Sequence, residues 1–129
     1  MIVDSSAIVA MVVRGPGWEG LIARLGADEA PAIAAPTLAE VGLILKAKIG
    51  AEARTILSRF LQETSLTVVP FGEEHWPVAI EAYARFGKGR HAAALNFGDC
   101  LTYAVARLSG QPLLFVGDDF SKTDLPSAS

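Results

Sequence analysis

Five carboxylates in this sequence stand where chemistry is usually done. Asp4 closes the apolar start MIVD, Glu40 lies early in an amphipathic stretch, Asp99 opens another, and Asp118 and Asp119 follow the apolar run LLFV at 113–116. Each has a structural explanation. Asp4 can cap a helix that starts at Ser5. Glu40 can be the reciprocal half of a capping box begun by Thr37. Asp99 can be an N-cap or an acid stabilised by the dipole of a first turn. Asp118 and Asp119 can be turn residues. The surroundings weigh against so modest a role. At helical spacing Glu40 shares a face with Leu43, Ile44 and Ala47, and Asp99 with Thr102, Tyr103 and Ala106. A carboxylate at the edge of an apolar face is costly unless it is paired or bound to metal. Several together repel and raise one another's pKa values. A divalent cation resolves that conflict. Mg²⁺ and Mn²⁺ prefer oxygen ligands, and such a site can activate water against a phosphodiester.

Other chemistries lack their residues. Cys100, His75 and His91 offer no zinc spacing. There is no GxGxxG or P-loop glycine pattern and no GxSxG nucleophile motif. A phosphatase with a nucleophilic Asp after its first strand carries a second Asp two residues on, where this chain has Ser6.

The elements that must position these acids alternate. MIVD reads as a short strand, and Ser5 to Val13 as a largely buried helix ended by Gly15, Pro16 and Gly17. A short amphipathic helix spans Trp18 to Leu25, and Ala32 to Ala35 is a short strand. Pro36 and Thr37 begin a helix, with Thr37 its N-cap, that stops at Gly50. Further helices cover Ala51 to Glu63, Glu73 to Phe86 and Asp99 to Leu108, and strands cover LTVVPF (66–71) and LLFV. FGKGRHAAALNFG is a loop with some helical content. Strands alternating with helices predict an α/β fold with a parallel sheet covered on both faces. Ligands in such folds sit beyond the carboxyl ends of the strands, which puts Asp4 and Asp118 on the same edge.

A chain of 129 residues fits one domain, 1–129, with a buried core. Its 51% hydrophobic and 19% charged residues argue against disorder. No apolar run reaches the roughly 18 residues of a membrane span, and no secretory signal is seen. A single cysteine allows no internal disulfide, and a cytoplasmic location is expected. The net charge of −3 argues mildly against a nucleic-acid binder, yet clustered carboxylates awaiting cations would produce it. Lys88, Arg90 and His91 in the glycine-containing loop, and Arg14 after the first helix, are solvated residues or phosphate contacts flanking the acids. Cys100 reads as a small buried apolar residue. Trp18, Trp76 and Phe120 read as core or interface residues.

Three segments, MIVDSSAIVAM, PTLAEVGLIL and GKGRHAAALNFGDCLTYAVARLSGQPLLFVGDDFSKTDL, resemble the PIN-domain ribonucleases, specifically the VapC-type toxins of type II toxin–antitoxin (VapBC) pairs. The last is the most specific: LNFGDC, a helix, QPLLF and GDDF-x-x-TD occur in the family's order. The likeness covers nearly the whole chain. It implies a PIN-like α/β/α sandwich with a central parallel sheet and a Mg²⁺- or Mn²⁺-dependent endoribonuclease. The family's acids map to Asp4, Glu40 and Asp99, with a further one from Asp118 or Asp119. The small polar pair after the first Asp is here Ser5–Ser6, a mild departure, and Ser6 can orient a carboxylate by a hydrogen bond. Metal held by Asp4 and Asp99, with Glu40 ligating directly, through water or as proton acceptor, implies hydrolysis of RNA that leaves a 5′-phosphate and a 3′-hydroxyl. The resemblance also implies a VapB-type antitoxin whose arginine enters the acidic pocket, and a homodimer that assembles with it into a larger complex. A PIN-like module that binds RNA or protein without cutting, and a phosphohydrolase of small substrates, are the rival readings.

Overall fold

A computed structural model describes residues 1–128. Four very short parallel strands, β1 (Ile2–Val3), β2 (Ala32–Ala34), β3 (Thr67–Val69) and β4 (Leu113–Leu114), lie in the order β3-β2-β1-β4. Ile2 stands opposite both Ala32 and Leu113, and Val3 opposite Leu114. Helices α1 (Ser5–Val13) and α2 (Trp18–Ala27) link β1 to β2. Helices α3 (Ala35–Ile49) and α4 (Ala53–Thr64), joined by a 3-10 turn at Gly50–Glu52, lead to β3. Helices α5 (Trp76–Phe86) and α6 (Phe97–Ser109) then carry the chain across to β4 on the far side of β1, and a 3-10 turn at Phe120–Lys122 follows.

Successive strand residues face opposite sides of the sheet, and the cores follow that rule. Val3, Ile33 and Leu114 pack with Ile8, Met11, Leu21, Val41, Leu45 and Leu57 on one side. Ile2, Ala34 and Leu113 pack with Phe86, Leu95, Tyr103 and Phe120 on the other. The two-faced parallel sheet expected from the alternation of elements is therefore present, and so is the buried first helix.

Several local expectations shift. LLFV pairs only through Leu113 and Leu114, because the Val116 N–H is taken by the Ser6 hydroxyl at 3.0 Å. LTVVPF pairs only over Thr67–Val69, since Pro70 has no N–H to continue a ladder. The loop 87–96 is tied by a bridge between Gly87 and Leu95 rather than by a helix. The N-cap of α6 is Asn96, so Asp99 occupies the helix's third position. Thr37 is not an N-cap. Helix α3 begins at Ala35 with Pro36 in its first turn, and Thr37 is buried with its hydroxyl 2.8 Å from that of Thr102 on α6. The capping-box explanation of Glu40 falls with it. Among the described residues no helix is long and apolar enough to cross a membrane.

Candidate active site

The chain leaves β1 for β2 on one side and reaches β4 on the other, so strand order reverses its direction at β1. Ligands bind at such a switch point, beyond the strands' carboxyl ends. Asp4 follows β1 there and is 4% exposed. Its N–H donates to the Leu114 carbonyl at 2.9 Å, which locks it to β4. Its carboxylate caps α1, with Oδ2 accepting from the Ser6 N–H at 3.0 Å and the Ser6 hydroxyl at 2.6 Å. Both bonds land on one oxygen. Ser6 also accepts from Val116 N–H, so a single hydroxyl joins Asp4 to the segment that leads to Asp118 and Asp119.

Asp99 closes a capping box: its N–H donates to Asn96 Oδ1 at 2.9 Å, and its Oδ2 accepts from the Asn96 N–H at 3.0 Å. Its pKa is nonetheless pushed up to about 6, by burial first, against that backbone bond, and then by the charges of Asp4, Asp119 and Glu40. Those four carboxylates therefore share one field. Of the pair that follows β4, Asp119 is the one acting on Asp99. Asp118 is exposed, and its carbonyl accepts from the Ser121 hydroxyl at 2.6 Å, a turn-forming contact.

Glu40 reaches the same place from α3. Its carboxylate lies over Gly98, where an added Cβ would fall 2.6 Å from Oε2. Only a glycine lets it approach the first turn of α6 so closely, where the helix dipole favours negative charge. Spacing arguments do not reach Gly98, because the partner it accommodates lies on another helix.

Among the described residues the acids have no cationic partner. Among the described residues, the ion pairs involve Met1, Asp28, Glu74, His75, Arg85, Arg107 and Asp124, and none of Asp4, Glu40, Asp99, Asp118 or Asp119. Also among the described residues, no three carboxylate, imidazole or thiol groups converge into a finished metal cage. The acids offer oxygen donors only, the donor type Mg²⁺ prefers, and Mg²⁺ commonly takes only one or two carboxylates and keeps several waters.

The basic residues are engaged locally. The Arg14 guanidinium stands over the Trp18 ring at 5.0 Å, and that of Arg90 over Tyr83 at 5.4 Å. His91 Nδ1 accepts from the Ala93 N–H at 3.0 Å, and its ring meets Phe86 edge-on. Lys88 has an exposed side chain, and its N–H donates to the Leu95 carbonyl. Cys100 is buried, and its thiol is pushed up to about 11 by burial and then by Asp99, which makes it inert as a thiolate. Phe120 is core, whereas Trp76 is exposed.

A family model, the PIN domain, matches residues 1–125. Ribonuclease VapC36 of Mycobacterium tuberculosis is 50% identical over 126 residues, covering 97% of this chain and 91% of its own length. Ribonuclease VapC of Mycolicibacterium smegmatis is 36% identical over 125 residues, covering 97% of each. Among solved structures, Mycobacterium tuberculosis VapC20, a sarcin-ricin loop cleaving toxin, superposes with a TM-score of 0.79 at 19% identity, covering 96% of this chain and 95% of that one. VapBC2 of Rickettsia felis, solved with a DNA fragment from its promoter, superposes with a TM-score of 0.77 at 16% identity, covering 98% and 94%. At such identities these two speak for the fold alone.

Proposed function

The chain belongs to the PIN-domain family as a VapC-type ribonuclease, and on that premise we propose that it is a divalent-metal-dependent endoribonuclease held in check by a VapB-type antitoxin. The observation that carries the proposal is the group of four acids at the switch point, without an ion-pair partner among the described residues, with the Asp99 pKa raised to about 6. Asp4 and Asp99 would hold Mg²⁺ or Mn²⁺, with Glu40 directly or through water, and Asp119 as the acid of the turn. A bound divalent cation supplies Lewis acidity for attack of water on a phosphodiester. The chain's own residues do the rest. Ser6 fixes Asp4 Oδ2 and leaves Oδ1 free of donors from the described residues. Asn96 fixes the Asp99 carboxylate through Oδ2. Glu40 accepts no hydrogen bond from the described residues, which leaves its oxygens able to take the proton of an attacking water. The amino end of α6 favours a phosphate close to these acids.

The same group of acids suits a guanidinium from an antitoxin, since arginine binds carboxylates in forks. Exposed Ile80 and Phe97, 63% and 78% accessible, suit a homodimer contact. Light scattering that finds only monomer at high concentration overturns the dimer. The activity is tested by incubating the purified chain, with Mg²⁺, Mn²⁺ or chelator, with RNA and with a phosphomonoester. Metal-dependent RNA cleavage, lost in Asp4→Asn and Asp99→Asn variants that remain folded, is the expected result. RNA binding without cleavage favours a non-cutting module, and phosphomonoester turnover favours a small-substrate phosphohydrolase.

A further inference from the structure

Besides Asp118, which serves its turn, the segment GDDF-x-x-TD contains a further acid outside the group of four, Asp124. Its surroundings are built. Its Oδ1 accepts from the Tyr103 hydroxyl at 2.7 Å, and its Oδ2 faces Arg107 at 3.3 Å and Arg85 at 3.4 Å. Arg85 comes from α5, and Tyr103 and Arg107 come from α6. Burial opposes ionisation of Asp124, yet the Tyr103 hydroxyl and the two guanidinium groups hold its carboxyl below the usual range. Tyr103, itself 2% exposed, stands one turn after Asp99 on the same helix. The chain between β4 and Asp124 is thus an arch with two fixed feet. One foot is β4, tied to β1 by the Asp4 N–H and by Ser6. The other is Asp124, tied to α6. Asp119 rides between them, with Phe120 beside it buried against Phe115 at 5.6 Å.

The geometry points to Asp124 as a positioning residue: its clamp by Tyr103, Arg107 and Arg85 sets the loop carrying Asp119 against the turn of α6 that carries Asp99. The inference rests on the metal-site reading above and deepens it. The clamp and Asp99 share one helix, so a shift of that helix carries both. Exposed ion pairs contribute little individually, so the buried Tyr103 hydroxyl does most of the holding and the arginines choose a charged acceptor for it.

The test uses the full chain in three forms: wild type, Asp124→Ala and Asp124→Asn. Asparagine keeps an acceptor for Tyr103. Mn²⁺ affinity is measured by calorimetry, and amide hydrogen exchange is followed over residues 117–123 without metal. Asp124→Ala is expected to weaken Mn²⁺ at least about tenfold, the range for groups that orient ligands, and to speed exchange in 117–123 while α1 and α3 stay protected. Asp124→Asn is expected to recover most of both. Should the alanine variant not fold, Tyr103→Phe removes the same contact. Wild-type Mn²⁺ affinity and unchanged loop exchange, with only a lower melting temperature, overturn the inference. If wild type itself binds no Mn²⁺, the metal reading fails, and the exchange data still decide whether Asp124 holds the loop.

Discussion

Replacing Asp99 by Asn makes the sharpest demand on the site's electrostatics. Asparagine keeps an oxygen to accept the Asn96 N–H and removes one charge from a group of four. The folded pKa of Asp99 is about 6 against an ordinary value of 3.8. The native state therefore binds this proton more tightly than the unfolded chain does. Ionised Asp99 destabilises the metal-free fold above pH 6, and the penalty fades as pH falls from 6 towards 4. At about 1.4 kcal/mol per pH unit the ceiling is about 3 kcal/mol. Asp99 is only half-buried, and water screening reduces this to about 1 kcal/mol. In a protein of this size that is about 4 °C. Metal-free Asp99→Asn should therefore melt a few degrees above wild type at pH 7.5, and the gap should shrink to about a third by pH 4.5 and vanish below the ordinary carboxylate pKa. With Mn²⁺ at about 100 times its Kd, wild type gains about 2.7 kcal/mol by linkage and the order reverses. The assay is a melting series by circular dichroism over pH, with chelator and with Mn²⁺. A difference between the two proteins that is constant across pH would refute the placement of Asp99 in a shared carboxylate field.

Other substitutions probe other contacts. Gly98→Ala should displace the Glu40 carboxylate, whose flexible end can move, so RNA cleavage should fall at least about tenfold while the melting temperature changes little. Asp119→Asn should cut activity far more than Asp118→Asn, because Asp119 acts on Asp99 whereas Asp118 serves its turn through a backbone carbonyl; equal losses in a cleavage assay count against this division. Ser6→Ala removes both bonds of a hydroxyl that joins Asp4 to Val116, and should cost about 1–3 kcal/mol in denaturant melts together with most of the activity. Thr37→Val strands the Thr102 hydroxyl in the core, and should cost about 1–3 kcal/mol with Mn²⁺ affinity kept.

Much of the molecule is legible in its residues alone. Helix α1 has the bounds that its apolar run and the Gly15-Pro16-Gly17 break predict. Asp4 caps it, as its place before Ser5 suggests, and still stands at the switch point, so the structural and chemical readings of one side chain are compatible. The basic loop residues are less legible. Their local contacts with Tyr83, Phe86 and Leu95 depend on how 87–96 folds back, and no periodicity records that.

What the sequence determined by itself is local. Apolar period, glycine and proline placement, and acids at the ends of apolar runs dictate which elements form and where their polar ends lie, because these are properties of a few neighbouring residues. Tertiary structure decided the rest. Thr37 and Glu40 have the spacing of a capping box, but the exit from β2 starts α3 at Ala35, and Thr37 turns inward to Thr102, distant in sequence. Glu40 is thereby free to lie over Gly98. Asp118 and Asp119 are alike in sequence, and only the fold brings one of them, Asp119, into the field of Asp99, on a loop whose ends are tied at β4 and at Asp124. Neither contact has a local signature, since each joins side chains that only the packed sheet and helices bring within reach.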